Sequence, residues 1–443
     1  MNAHSSRALP TSAKPRVLAI LPALIPSTMI AVVKPLLGMH QLGHLTLDVR
    51  LESSAPSGDI ARADLVVFCR NCEPQRRRVL DAVKSAGKPY IYVLDDDLLG
   101  LPPSSETAAY HNDPQVRQQL LEYIAGARLV TVFSNTLAGK VRRINPRVEV
   151  VAGSVDSSNL TKPHPRSASE LTRIVYATSR QKDALAQLFL GDLIRFLDRR
   201  CPKIEAHFWG CRVPELIHHP QVRFFDFIPD YDQFLRKFSR WGYDIGLAPL
   251  LNDDFHRSKT NNKYREYGAC RIAGIYSDVD VYTDCIKHEV NGLIVRDVPG
   301  AWHDAILRLV EDKRLRERIQ DEAFRDVKER YSLESAQSTW RRQIESVLCE
   351  WDSTPVAEAA KGDSPPGLSV GAGPDHTLAG RGLRAGDLIA GLWSRLTTLT
   401  RMPPAHWLCG LSRRWSQWVA FYKIRMATSS SRRVPVGGPR RRP

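Results

Sequence analysis

The segments ADLVVFC (63–69) and KPYIYVL (88–94) are short, apolar without alternation, and bounded by charged or turn-forming residues. A strand with one face in water alternates polar and apolar residues, whereas a strand covered on both faces reads as a continuous apolar run. Such runs demand helices on both sides of a parallel sheet, and helical patterns do separate them. PRVLAIL (15–21), LTLDVRL (45–51), ARLVTVF (127–133) and VEVVAGSVD (148–156) complete the strand set of residues 16–151. Between them lie STMIAVVKPLLGMHQLG (27–43), with Ser27 or Thr28 as cap and Gly43 as stop, and EPQRRRVLDAVKSAG (73–87), which ends on glycine. NDPQVRQQLLEYIAGA (112–127) has Asp113 as N-cap ahead of Pro114, and NTLAGKVRR (135–143) is capped by Ser134.

The pattern then restarts. TKPHPRSASE (161–170) is a Pro/Ser-rich linker, followed by the strands RIVYATS, IEAHFWG, VRFFDFI, YDIGLAPL and NGLIV. The helices among them are DALAQLFLGDLIRFLDRRC, YDQFLRKFSRW, the long run WHDAILRLVEDKRLRERIQDEAFRDVKERY and a last segment, SLESAQSTWRRQIESVLCEW. Strands alternating with helices define an α/β protein, here two Rossmann-like domains over 15–160 and 171–331 that face each other across a cleft. Residues 332–352 form the closing helix. Residues 1–14 and the Pro/Gly/Ala/Ser-rich 353–385 are expected to be disordered, and 386–443 forms a basic Trp-rich tail.

A length of 443 residues fits two or three domains, and a hydrophobic content of 43% is enough for substantial cores. No apolar run reaches the roughly 18 residues of a spanning helix. VLAILPALIP (17–26) is short and interrupted by Pro22, so it reads as a first strand and not as a signal peptide, which places the protein in the cytoplasm. Eight scattered cysteines argue against a disulfide framework. Cys69 and Cys72 form one CxxC; with no second pair at zinc spacing, ordinary thiols at a strand end compete with a metal or redox role. His218-His219 reads as a surface loop, His111 as a residue ahead of a helix cap, and Asn291-Gly292 as a tight turn.

Of the net charge of +15, +10 falls within Pro355–Pro443, which holds 14 Lys+Arg and 4 Asp+Glu. There Trp393, Trp407, Trp415 and Trp418 interleave with arginines, a pattern suited to the inner face of a membrane or to a small helical module on the same chain. No motif for nucleic acid accompanies the charge, and none is expected as a partner.

The segment SKTNNKYREYGAC (258–270) carries the chemistry. It follows the strand of DIGLAPL and leads into a helix whose N-terminal amides favour an anion. Lys259 and Lys263 add positive charge; Ser258, Thr260, Asn261 and Asn262 add neutral hydrogen-bonding groups; Glu266 can accept two bonds from a ribose diol. Together they make a cradle for a sugar nucleotide, with Lys259 and Glu266 central to catalysis and the others binding substrate.

From DIGLAPL through SKTNNKYREYGACRIAGIYSDVDVYTDCIKHEVNGLIV, the chain resembles the donor-binding signature of family-4-type (group 1) glycosyltransferases of the GT-B superfamily. ADLVVFCR and GKPYIYVLDDDLLGLP resemble its polysaccharide-biosynthesis branch. The resemblance implies a retaining transferase that moves a hexose-type sugar from a nucleotide diphosphate to a glycan or lipid-linked acceptor. It needs no cofactor, and the leaving phosphate itself helps to deprotonate the acceptor. It also implies that 332–352 crosses back to the first domain. Of the family's two spaced glutamates, the second falls on Glu266 as the ribose ligand and the first on Ser258, a departure. The nearest equivalents of its diphosphate-binding Arg and Lys are Arg180 and Lys182. The family's glycine-rich first loop is replaced by LIPST (24–28), and its strand-end His-Asp by Asp95-Asp96, on the acceptor side.

Two alternatives stand beside this expectation. Asp95–Asp97 satisfies the DxD pattern of metal-dependent glycosyltransferases, although acidic residues after a strand also cap helices or orient an acceptor. The missing first glutamate fits a non-catalytic, sugar-nucleotide-binding scaffold of a biosynthetic complex. The metal-free reading has no metal ligands.

Overall fold

A computed structural model describes residues 14–103, 105, 107–162, 171–178, 184–198 and 204–353. The expected disorder of 1–14 and of 353–385, and the basic tail 386–443, lie wholly or almost wholly outside the described residues. Among the described residues there are two sheets of six strands. The first contains β1 (Arg16–Leu21), β2 (Thr46–Leu51), β3 (Leu65–Cys69), β4 (Tyr90–Leu94), β5 (Leu129–Val132) and β6 (Val148–Val150), in the order β2-β1-β3-β4-β5-β6. Every pairing is parallel. All five residues of β3 and all five of β4 are buried, as doubly covered strands require.

The second sheet contains β7 (Thr172–Ala177), β8 (Ile204–Trp209), β9 (Val222–Phe225), β10 (Ile245–Ala248), β11 (Ala273–Ser277) and β12 (Leu293–Val295). Its order is β12-β11-β10-β7-β8-β9, again all parallel. Strand order reverses once in each sheet, between β1 and β3 and between β7 and β10. Crossovers on the two sides of such a point run to opposite faces and leave a crevice at the strands' carboxyl ends. The fold is thus α/β with two Rossmann-like halves.

Several local signals act as read. Asp113 accepts from the amides of Gln115 and Val116 at 2.8 and 3.3 Å, and Ser134 Oγ accepts from Leu137 N at 3.3 Å. Gly43, at φ 78°, follows the end of its helix. Four details differ. The first helix starts at Pro26, so neither Ser27 nor Thr28 is its N-cap; Pro26 presets the first turn, and Thr28 Oγ1 reaches back to accept from Ile25 N at 3.1 Å. The run 302–331 is two helices, Ala301–Glu311 and Lys313–Arg330, because Asp312 leaves helical geometry (φ −94°, ψ 82°) to accept from Leu315 N at 2.9 Å. AGIYS, not anticipated as a strand, forms the fully buried β11. Among the described residues the acidic run 95–97 caps no helix; Asp97 Oδ1 instead accepts from Gly100 N at 2.9 Å.

The last helix, Leu333–Ser353, packs on the first sheet's domain. Trp340, Ile344 and Val347 enter the cluster around Val17, Ala19, Leu36 and Val67, and Trp340 Nε1 donates to Ala31 O at 3.1 Å. Each such side chain contributes about 2 kcal/mol on burial, enough to hold the two domains in a defined relation. No helix among the described residues is long and apolar enough to cross a membrane.

Candidate active site

Both crevices open into one cleft of about 1130 Å³. The first domain lines it with residues 24–27 after β1 and with Arg70 after β3; the second contributes Thr178 after β7, Gly210 after β8, Pro249 and Leu250 after β10, and the segment 259–266. Gly210 is required by geometry. It sits at φ 79°, and a Cβ there would lie 2.0 Å from the carbonyl oxygen of Thr178. Gly210→Ala is therefore expected to force β7 and β8 apart at the cleft floor and destabilise the second domain by about 2 kcal/mol or more. A thermal unfolding midpoint for the second domain within 1 °C of the unaltered protein's, a tolerance of roughly a quarter to half a kcal/mol for a domain of about 150–250 residues, would contradict that.

The segment 258–266 is built by two short helices. Asp253 caps Asp254–Arg257 through a 2.8 Å bond from His256 N, and the chain then turns into Asn262–Ala269. Ser258 does not face the cleft. It is 1% exposed; its Oγ donates to Asp254 O at 2.7 Å, and its carbonyl accepts from Ser134 Oγ of the first domain at 2.8 Å. Asn261 also turns inward, donating to Tyr331 OH at 3.2 Å and to Cys285 Sγ at 3.4 Å. In this structure the polar groups of both residues are engaged by the protein itself, and neither lines the cleft. Thr260 and Asn262 do line the cleft, both tied to the buried Arg265. Arg265 also donates to Ser154 O at 3.0 Å, and burial lowers its pKa.

Lys259, Lys263 and Glu266 all line the cleft. Lys263 Nζ lies 2.7 Å from Glu266 Oε2, and Tyr231 OH donates to Glu266 Oε1 at 3.2 Å. Burial first, and then the charge of Glu266, push the Tyr231 hydroxyl far above its ordinary value, so it remains a donor. Lys259 Nζ sits 4.2 Å from the Phe255 ring centroid and 3.4 Å from Asp96 Oδ2, across the domain boundary. Arg180 and Lys182 lie outside the described residues.

The acidic run is cross-braced. Asp95 lies 3.0 Å and Asp96 3.6 Å from Arg70, and Asp97 lies 2.8 Å from Lys140 while accepting from Gly100 N at 2.9 Å. Asp95 and Asp96 are not on the cleft wall; the cations they hold, Arg70 and Lys259, are. Arg70 has φ 63°, a left-handed conformation that is uncommon for any residue other than glycine. Burial opposes its charge, but Asp95 and Asp96 outweigh that and hold the pKa above the ordinary arginine value. The sequence reading missed Arg70 as a site residue, although a cation directly after a buried strand was a usable signal.

It also missed Lys34. Its Nζ is 2.7 Å from Asp156, just beyond β6, and 2.5 Å from Asp232, in the first turn of the second-domain helix Tyr231–Ser239. Of the remaining residues, Cys69 and Cys72 are buried free thiols, and burial pushes Cys72 up to about 11. His218 is exposed, and His219 Nδ1 accepts from Gln221 N at 3.3 Å. His111 Nδ1 lies 3.9 Å from Cys72 Sγ, with its pKa lowered first by burial and then by Arg70. Asn291 closes its turn by accepting from Lys287 N at 2.7 Å.

Two parallel Rossmann-like domains, a shared cleft at their topological switch points and a closing helix that returns to the first domain define the GT-B fold. Solved structures of that fold resemble this chain along most of its length. A glycosyltransferase from Rickettsia africae is 15% identical, with a TM-score of 0.54, and the match covers 76% of this chain and 99% of that one. HepE from Anabaena, in complex with UDP-glucose, is 15% identical over 75% of this chain and all of its own, with a TM-score of 0.52. Sucrose-phosphate synthase from Thermosynechococcus elongatus is 12% identical over 76% of this chain and all of its own, with a TM-score of 0.55. No protein-family model and no curated protein matches the sequence.

Proposed function

We propose that the protein is a glycosyltransferase that takes a sugar from a nucleotide diphosphate donor. The observation that carries this reading is the convergence of Lys259, Lys263 and Glu266 after β10 on a cleft whose opposite wall presents Arg70. The buried Glu266 carboxylate, already accepting from Tyr231 and Lys263, suits a ribose diol. Lys259 and Arg70 supply the charge that a leaving diphosphate needs. The anomeric carbon–oxygen bond to the diphosphate breaks, with the electron pair leaving on phosphate. A bond from the acceptor oxygen forms, and its proton passes to the departing phosphate. We propose retention at the anomeric carbon and a role in surface polysaccharide assembly, with the basic tail holding the enzyme at the inner membrane face. The Rickettsia africae neighbour is itself a glycosyltransferase, and the HepE structure holds UDP-glucose, which supports the donor class. Because Asp95 and Asp97 are each matched by a protein cation, the diphosphate is assigned to side-chain cations and not to a divalent ion.

The test is a thermal-shift panel of UDP, GDP, ADP and their sugar conjugates on the intact chain, with and without chelator. One nucleotide diphosphate is expected to stabilise the protein in chelator. Lys259→Ala is expected to weaken it about tenfold or more, and the monophosphate much less. No shift with any nucleotide would sink the reading, and binding without release of sugar would favour the scaffold alternative.

A further inference from the structure

The short helix Asp254–Arg257 follows β10 and so belongs to the second domain by chain order, yet it packs on the first. Phe255, 3% exposed, sits in the first domain's apolar core with Leu98, Leu137, Ala138 and Val141. Among the described residues, every other buried member of that cluster comes from residues 18–141. Hydrogen bonds from the first-domain helix Asn135–Val141 and its cap fix the segment at both ends. Lys140 Nζ donates to Asp254 O at 3.0 Å, and Ser134 Oγ donates to Ser258 O at 2.8 Å.

A few residues on, the anchoring changes hands. Tyr264 and Tyr267 of the helix Asn262–Ala269 are fully buried in the second domain's core, with Val175, Trp209 and Ala248. Lys263 and Glu266 therefore ride on the second domain. Lys259 does not: its Nζ lies 4.2 Å from the Phe255 ring centroid and 3.4 Å from Asp96 Oδ2. Withdrawing a buried phenyl ring would leave a cavity in the first domain, so the segment moves with that domain. A lysine side chain is otherwise free to sample many rotamers, and a ring face beneath the ammonium restrains it. Restraint in place before the ligand arrives lowers the cost of binding.

We propose that Phe255 is a positioning residue. By docking 254–259 on the first domain it holds Lys259 ready for the donor's diphosphate, while the second domain holds Glu266 for the ribose. This rests on the glycosyltransferase reading and adds the side chain through which one domain's core sets the other's cation. The donor cradle is then complete only when the two domains stand in the relation seen here.

The test uses the full chain, with the nucleoside diphosphate that stabilises it most and the matching monophosphate. Calorimetry compares the unaltered protein, Phe255→Leu, Lys259→Ala and the double variant. Phe255→Leu keeps an apolar plug but removes the ring face. It is expected to weaken the diphosphate about threefold or more and to leave the monophosphate within about 1.5-fold. On the Lys259→Ala background the same substitution is expected to change neither, because its effect passes through the ammonium. Equal losses for both nucleotides, a loss that persists without Lys259, or no loss at all would each overturn the proposal. Hydrogen exchange reads the anchoring without any nucleotide. Phe255→Ala, or Phe255→Leu where alanine does not fold, is expected to speed exchange at the amides of 257–259 and along 135–141, and to leave 262–269 unchanged. Faster exchange at 262–269 with none at 135–141 would put the segment on the second domain and overturn the anchoring. Absence of nucleotide binding to the unaltered protein would sink the donor reading instead, and exchange would still decide the plug.

Discussion

Glu266→Ala is expected to raise the KM for the nucleotide sugar about a hundredfold and to leave the protein folded. The carboxylate is 5% exposed and ends a short hydrogen-bonded chain from Tyr231 and Lys263. A ribose diol would donate two bonds to it, and bonds to a charged partner contribute about 1.5–3 kcal/mol each, so losing both comes to about 3 kcal/mol or more. The effect falls on KM because the ribose is remote from the reacting carbon and is held equally in ground and transition states. Lys263 is 25% exposed and can turn to water once its partner is gone, which is why the fold survives. Glu266→Gln keeps the shape and an acceptor for Tyr231 while losing charge, and is expected to fall between the two. A folded alanine variant whose KM stays within about threefold, less than a single neutral hydrogen bond contributes, would remove Glu266 from the donor site.

Lys34→Met is expected to loosen domain closure. It leaves Asp156 and Asp232 facing each other without a cation, their side chains 14% and 32% exposed. Removing one partner of a buried ion pair costs about 3–5 kcal/mol, and the partial exposure of Asp232 reduces this to about 2 kcal/mol. Small-angle scattering of the variant should show a larger radius of gyration, and calorimetry a nucleotide affinity about tenfold weaker, since part of the binding energy is spent on closure. An unchanged radius together with unchanged affinity would show that the ion pairs do not govern closure. The same contact has a pH signature. Burial raises the Asp156 carboxyl, but hydrogen bonds from Lys34 and Ser158 outweigh it and leave the pKa below its ordinary 3.8. A depressed carboxylate contributes stability that is complete above its ordinary pKa and is lost as pH falls through the folded value. Loosening through Asp156 is therefore confined to strongly acidic solution and is absent near neutrality.

Much of the fold was legible because its signals are local. A doubly covered strand must be apolar throughout, so β3 and β4 announced a parallel sheet. Asp113 and Ser134 bond amides two or three residues away, so their caps could be read from spacing alone. The cleft-lining segment after β10 was legible for the same reason: strand, polar run and helix are contiguous, and Lys259, Lys263 and Glu266 reach the cleft from it.

What the linear order of residues could not decide was which way the other polar groups face. Ser258 is claimed by Ser134, 124 residues earlier, and Asn261 by Tyr331, 70 residues later. Both therefore tie together elements that lie far apart along the chain. Arg70 became a site residue only through its left-handed backbone and its grip on Asp95 and Asp96, and Lys34 only because two carboxylates from separate parts of the chain meet it. By itself, then, the sequence determined most of the strands, most of the caps and the polar segment that follows β10, since those depend on neighbours along the chain; β11 was the exception. The ion pairs that join the domains and the placement of Arg70 on the cleft wall depended on the tertiary structure, because desolvation and charge pairing act between residues that only packing brings together.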